Sequence, residues 1–254
     1  MPRLCQALGW GTVKPAEYQS WIRAEAGLLR AAALDAGAEA PVPTCPGWTV
    51  QRLIQHLSRT FGMVVAVLRM ADPQLPPPRI ERPTGDFTAL LQGFDNRLDA
   101  LLEQLAAIDP AAPVWHFSPT APRTAAFWSR RMAHETTMHR IDAQAAAGTD
   151  SPVDADFAAD GVDEVLTRLI QARLDAWAVA ELSGIVLYHA ADAGRAWTVR
   201  LVPGQLPQTA RESMVEPDAS VVGLADAVYR AAWGRPSRAV ISGDTHLVEV
   251  TRGG

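Results

Sequence analysis

The sequence predicts an α+β protein: a helical bundle first, then a small α/β domain. Three observations carry this prediction. Helix start and stop signals recur up to Glu181, and the second helical stretch carries apolar residues at spacings of three and four. Beyond Glu181 the spacing changes to alternation, the mark of half-buried strands. A proline-rich breaker, Gln74 to Gly85, separates two helical stretches by more than a tight helix hairpin needs. The domains are therefore placed at 1–181 and 182–254.

Each element has its own signal. Met1 to Thr12 shows no period and reads as an arm. A first helix fits Pro15 to Leu34, with proline in its first turn and Gly37 just past its end. A second begins after Thr49, a good N-cap, and carries Val50, Leu53, Leu57, Phe61, Val64 and Leu68 as one apolar stripe. Asp72-Pro73 ends it, and the segment Gln74 to Gly85 reads as a crossover. A third helix fits Asp86 to Ile108, and a fourth runs from about Thr124 to Ala147, stopped by Gly148. A fifth fits Asp156 to Ala180. Ser183 to His189 and Trp197 to Leu201 read as strands, and Ser220 to Trp233 as a helix. Two final strands, around Val240 and Val248, are expected to join at Gly243-Asp244.

Composition excludes several classes. At 254 residues with 48% hydrophobic content the chain can bury a normal core. A formal net charge of −5 argues against nucleic acid or an anionic membrane as the main partner, since both call for a basic surface. The longest strongly apolar run, Phe61 to Leu68, is too short to span a bilayer. Two cysteines, Cys5 and Cys45, imply no disulfide framework, and no signal peptide is recognised, so the expected location is cytoplasmic.

The chemistry concentrates in histidines and one glutamate. Glu135 and His139 stand four apart on the fourth helix, about 40° apart around its axis, so both can reach one ion. His56 sits at the edge of the second helix's stripe, beside Leu53. Two helices of one bundle can thus deliver three metal ligands to a shared point. Two imidazoles and a carboxylate suit zinc, with a fourth position open. The string His134-Glu135-Thr136-Thr137-Met138-His139 is one residue too long for the H-E-x-x-H protease motif. His134 and His139 point about 140° apart, which excludes them as a pair on one ion. Spacing alone also suits a solvated Glu–His contact and a packing role for His56. Cys45, just before a helix start, shows no partner in the sequence and reads as a packing or turn residue.

Two segments narrow the choice. Val42-Pro43-Thr44-Cys45-Pro46-Gly47-Trp48-Thr49-Val50, with Leu53 and His56, resembles the first signature of the mycothiol-dependent maleylpyruvate isomerase family. His134-Glu135, His139-Arg140 and Asp142-Ala143 resemble its second. Ser151-Pro152-Val153, Asp160 to Glu164, Gly234-Arg235 and Gly243-Asp244 continue the likeness over nearly the whole chain from about residue 15. The resemblance implies a DinB-like four-helix bundle followed by a sterol-carrier-like module. It implies zinc, or another divalent metal, on His56, Glu135 and His139. It further implies an arginine of the C-terminal module that binds the acidic substrate or the thiol. Arg235 is the best match and Arg238 a weaker one, while a plain helix-end role suits Arg235 equally.

The implied activity is that of a mycothiol-using isomerase or S-transferase acting on a small electrophile through a metal-activated thiolate. A metal-dependent hydrolase using bound water and a non-catalytic metal or ligand binder are the competing expectations. The implied partners are a small electrophile and a low-molecular-weight thiol, with no nucleic acid and no membrane. Substrate and oligomeric state are left open.

Overall fold

The structure, a computed structural model, describes residues 14–213 and 216–253, which fall into two compact units. One comprises Lys14–Phe117 with Ala121–Ser151 and is helical. The other holds Ser118–Thr120 and the chain from Pro152 onward. The division at Ser151–Pro152 comes well before the change of sequence style at 181. The fifth helical stretch packs against a helix of the sheet unit, so it belongs there rather than with the bundle. The expected arm, Met1 to Thr12, lies outside the described residues.

The helical unit contains α1 (Pro15–Ala36), α2 (Val50–Leu68), α3 (Phe87–Ala107) and α4 (Ala126–Ala146). α1 packs along α4, and α2 along α3. Thr49 caps α2 by accepting from the Arg52 N–H, and Asp86 caps α3 by accepting from the Ala89 N–H at 2.9 Å. The whole predicted stripe of α2, from Val50 to Leu68, is buried. Phe61 from that stripe meets Phe94 of α3 with ring centroids 5.5 Å apart. Each such side chain contributes roughly 1.5–3 kcal/mol by leaving water.

α4 is built differently. His134, Thr136, Thr137, Arg140 and Asp142 are all buried along it. Burial of polar groups is tolerated only when they are bonded. The hydroxyls of Thr136 and Thr137 donate to the carbonyls of Met132 and Ala133. Arg140 donates from Nε to Glu25 Oε2 at 2.7 Å and from Nη1 to Gln144 and Ser151. α4 is thus a central helix whose polar side chains find their partners inside the unit.

The segment before α2 is a stiff turn. Pro41 and Thr49 form an antiparallel bridge, and the Val42 N–H donates to the Trp48 carbonyl at 2.9 Å. Gly47 closes the turn at φ 78°, a conformation that costs glycine little and other residues more. The turn fixes Thr44, Cys45 and Trp48 just ahead of α2.

The sheet unit opens with α5 (Ala155–Glu164). One helix to Ala180 was expected. Instead the chain passes through a π turn (Val165–Leu169) and a 3-10 turn (Ile170–Ala172) before α6 (Leu174–Ala178). Arg173 leaves the helical region at φ −86°, ψ 56°. Side chains supplement the broken ladder there: Trp177 Nε1 bonds the Ile170 carbonyl at 2.6 Å, and the hydroxyl of Thr209 in the sheet bonds the Leu166 carbonyl.

Five strands follow in the spatial order β3-β2-β1-β4-β5: β1 (Gly184–Ala190), β2 (Arg195–Leu201), β3 (Gln208–Ala210), β4 (Ala219–Gly223) and β5 (Val240–Gly243). β1 and β4 are parallel and the other neighbours antiparallel. Two sequence expectations change here. Ser220 to Gly223 is strand, because Val221 pairs with Tyr188 in the sheet, so α7 covers only Ala225–Ala232. Val248 lies in a helix, α8 (Thr245–Val250), not a strand. Asp244 does not turn a hairpin; its carboxylate accepts from the His246 N–H and caps α8. Gly243 stands at φ 77°, where a Cβ would meet the Asp218 carbonyl oxygen at 2.1 Å. No helix among the described residues is long and apolar enough to cross a membrane.

Candidate metal centre

α2 and α4 bring His56, Glu135 and His139 together. His56 Nε2 lies 3.0 Å from Glu135 Oε1, and His139 Nε2 lies 3.4 Å from the same oxygen. One donor atom from each falls within 4.8 Å of the others. Ligands about 2.0–2.1 Å from a tetrahedral zinc ion stand roughly 3.3 Å apart. The two observed separations bracket that value, so the residues fit a divalent metal with little rearrangement.

Each donor is aimed by a neighbour. Arg131, one turn before Glu135 on α4, donates from Nη2 to Glu135 Oε2 at 2.8 Å, which leaves Oε1 facing the imidazoles. Asp142 Oδ2 lies 2.8 Å from His139 Nδ1. In the neutral ring, a proton on Nδ1 leaves the lone pair on Nε2, the nitrogen that faces Glu135. Asp142 is in turn held: Thr44 donates its hydroxyl to Oδ1 at 2.6 Å, and Cys45 Sγ donates to Oδ2 at 3.4 Å. The Trp48 ring stacks on His139 at 6.1 Å and 21°, and lies 5.0 Å from the His56 ring.

Charge follows this geometry. Burial alone would push the Glu135 carboxyl up. Hydrogen bonds with His139 and His56, with the positive field of His139 and Arg131, outweigh it and hold the group well below the usual carboxylate range. Burial alone would push His139 down. Contacts with Asp142, Cys45 and Glu135 reverse this and raise it well above its ordinary value. Glu135 is thus held as an anion, which suits it to ligate a cation.

The other expected residues fall elsewhere. His134 is fully buried, with its ring edge-on to Tyr18 of α1 at 6.4 Å. Arg235 belongs to the sheet unit, just past α7, where Nη1 donates to the Trp233 carbonyl at 2.8 Å. Cys45 corrects the sequence reading: it has a partner, the Asp142 carboxylate. Thr44, Arg131, Trp48 and Asp142 carried no assigned role either. The i−4 spacing of Arg131 from Glu135 and the i+3 spacing of Asp142 from His139 were the available signals.

No curated protein matches the sequence. Two solved structures resemble the fold: a mycothiol-dependent maleylpyruvate isomerase and a point mutant of that enzyme. Each has a TM-score of 0.65 at 14% identity, covering 93% of this chain and 96% of the other. The family model described as mycothiol maleylpyruvate isomerase N-terminal domain matches residues 20–144, within the helical unit. The corresponding C-terminal domain matches residues 156–249, within the sheet unit. With both domains matched in order across most of its length, the chain belongs to the mycothiol maleylpyruvate isomerase family.

Proposed function

We propose that this protein is a metal- and mycothiol-dependent enzyme that isomerises a small electrophile, or transfers the thiol to it. The convergence of His56, Glu135 and His139 on one point supports this most directly. Those three side chains would hold the metal, zinc by the chemistry of the donor set. A divalent metal there lowers the pKa of a coordinated thiol, so that a thiolate is present at neutral pH.

The chain's own groups then do the positioning. Asp142 keeps the proton of His139 on Nδ1, and Thr44 holds Asp142 in place. Arg131 turns Glu135 so that one oxygen faces inward. Trp48 stacks on His139 and packs at a tilt against His56, and so limits the directions from which water approaches them. A thiolate that adds to a conjugated double bond forms a C–S bond and sends the π electrons onto the activating carbonyl. Rotation about the resulting single bond, followed by departure of the thiolate, restores both and gives isomerisation without an oxidant. If the adduct is protonated on carbon instead, the outcome is S-transfer. Arg235 is proposed to hold an anionic group of the substrate, a task that suits the planar guanidinium fork.

The test is turnover of conjugated carbonyl electrophiles with and without mycothiol, alongside elemental analysis of the purified protein. About one divalent metal per chain and strict thiol dependence are expected. Turnover indifferent to the thiol would replace this reading with a metal-dependent hydrolase. Arg235→Lys should impair turnover while leaving metal content unchanged.

A further inference from the structure

Arg52 stands at the third position of α2, in the helix's first turn. That end of a helix presents unpaired N–H groups and a partial positive charge, so acids are favoured there and cations disfavoured. The same position in a capping box belongs to Glu or Gln, yet this first turn has no acidic residue. A side chain that works against its own helix end invites a functional reason.

Its surroundings supply one. Arg52 is four residues before His56, so the two share a helix face. The guanidinium carbon lies 5.4 Å from the Trp48 ring centroid, and that ring packs against His56 and His139. Arg52 is exposed, and its guanidinium makes no hydrogen bond or ion pair among the described residues. Three arginines of the helical unit are committed, Arg131 to Glu135, Arg140 to Glu25 and Arg30 to Asp95, and Arg52 differs from the rest in its place over the Trp48 ring. An arginine lying over an aromatic ring keeps its planar fork oriented while its N–H edges stay available to a carboxylate.

We propose that Arg52, backed by Trp48, is a specificity-determining residue that recognises a carboxylate on the substrate beside the His56–Glu135–His139 centre. This rests on that centre being where the reaction occurs. It gives the helical unit an anion-recognising group of its own, in addition to Arg235.

The experiment compares binding of succinate and of dimethyl succinate to the full-length protein as purified, by calorimetry. Wild type, Arg52→Lys and Arg52→Gln are measured together with their melting temperatures. Arg52→Gln should weaken succinate about 10-fold, the scale of one lost charge-assisted contact. Arg52→Lys should fall between, and the neutral diester should not respond. The melting temperature of Arg52→Gln should equal or exceed that of wild type, because the helix end loses a misplaced cation. In steady-state turnover of a carboxylate-bearing electrophile, Arg52→Gln should raise KM far more than it lowers kcat. Succinate binding that is undetectable in wild type, unchanged in Arg52→Gln, or weakened to the same degree as the diester overturns the proposal. Metal content and thiol dependence are read separately. Their absence defeats the functional reading, whereas the succinate comparison still judges Arg52.

Discussion

In the helical unit, the Glu135 carboxylate faces two imidazoles on one oxygen and a guanidinium on the other. In the sheet unit, the Asp163 carboxylate is closed by Arg211, at 2.7 and 2.9 Å, and by Trp197 Nε1 at 3.1 Å. Both carboxylates are well covered, but their partners differ in kind. Arginine and indole N–H groups only donate, so these partners of Asp163 can neither take up a proton from it nor coordinate a metal beside it. Imidazole nitrogens can donate or coordinate, so Glu135 sits among groups able to exchange a proton for a metal. Buried charge serves stability in one unit and is open to chemistry in the other.

Four substitutions or conditions sharpen or break that contrast. His139→Ala should strip the metal and cut turnover by about 10³-fold, several kcal/mol of transition-state stabilisation, while His134→Ala keeps the metal. Elemental analysis of both variants decides the matter; metal retained in His139→Ala and lost from His134→Ala would reverse the assignment. Asp163→Ala should cost about 2–3 kcal/mol in denaturant unfolding, since it removes the carboxylate that Arg211 and Trp197 bond, yet leave metal content alone. Metal loss in that variant would overturn the contrast.

Asp142→Asn probes the boundary between the two kinds of burial. The amide keeps the shape but loses the charge that orients His139, so metal affinity should drop about 10- to 100-fold in a chelator competition. An unchanged affinity would reduce Asp142 to packing. The smallest effect concerns Tyr188 of β1, which hydrogen-bonds Thr251 at 2.7 Å. Burial pushes its phenol up to about 12. Its folded value lies above the unfolded one, so its contribution is fully present below pH 10 and is lost between pH 10 and 12. At pH 11 the loss should be about 1 kcal/mol, absent from Tyr188→Phe. A phenolate absorbance titration checks the value directly.

The sequence determined much of this on its own. The stripe on α2 and the four-residue step from Glu135 to His139 follow from the helical period, which is a property of the backbone. Thr49 and Gly37 marked helix ends because capping is equally local. The α+β class and the family resemblance were readable for the same reason.

Tertiary structure decided the rest. Asp142 and Cys45 stand 97 residues apart, and Thr44 lies a further position back. Nothing in their spacing announces that they meet, because the contact arises only when the turn before α2 docks beside α4. Where the fifth helix breaks, the Thr209 hydroxyl of β3 takes the Leu166 carbonyl, and local propensity cannot foresee a donor from a strand 43 residues on. Asp244 next to Gly243 suits either a hairpin turn or a helix cap. The fold selects the cap, since Gly243 must press against the Asp218 carbonyl where β4 and β5 pair. The sequence thus set which groups could act and how each sits on its own element. Folding set which distant groups would hold them in place.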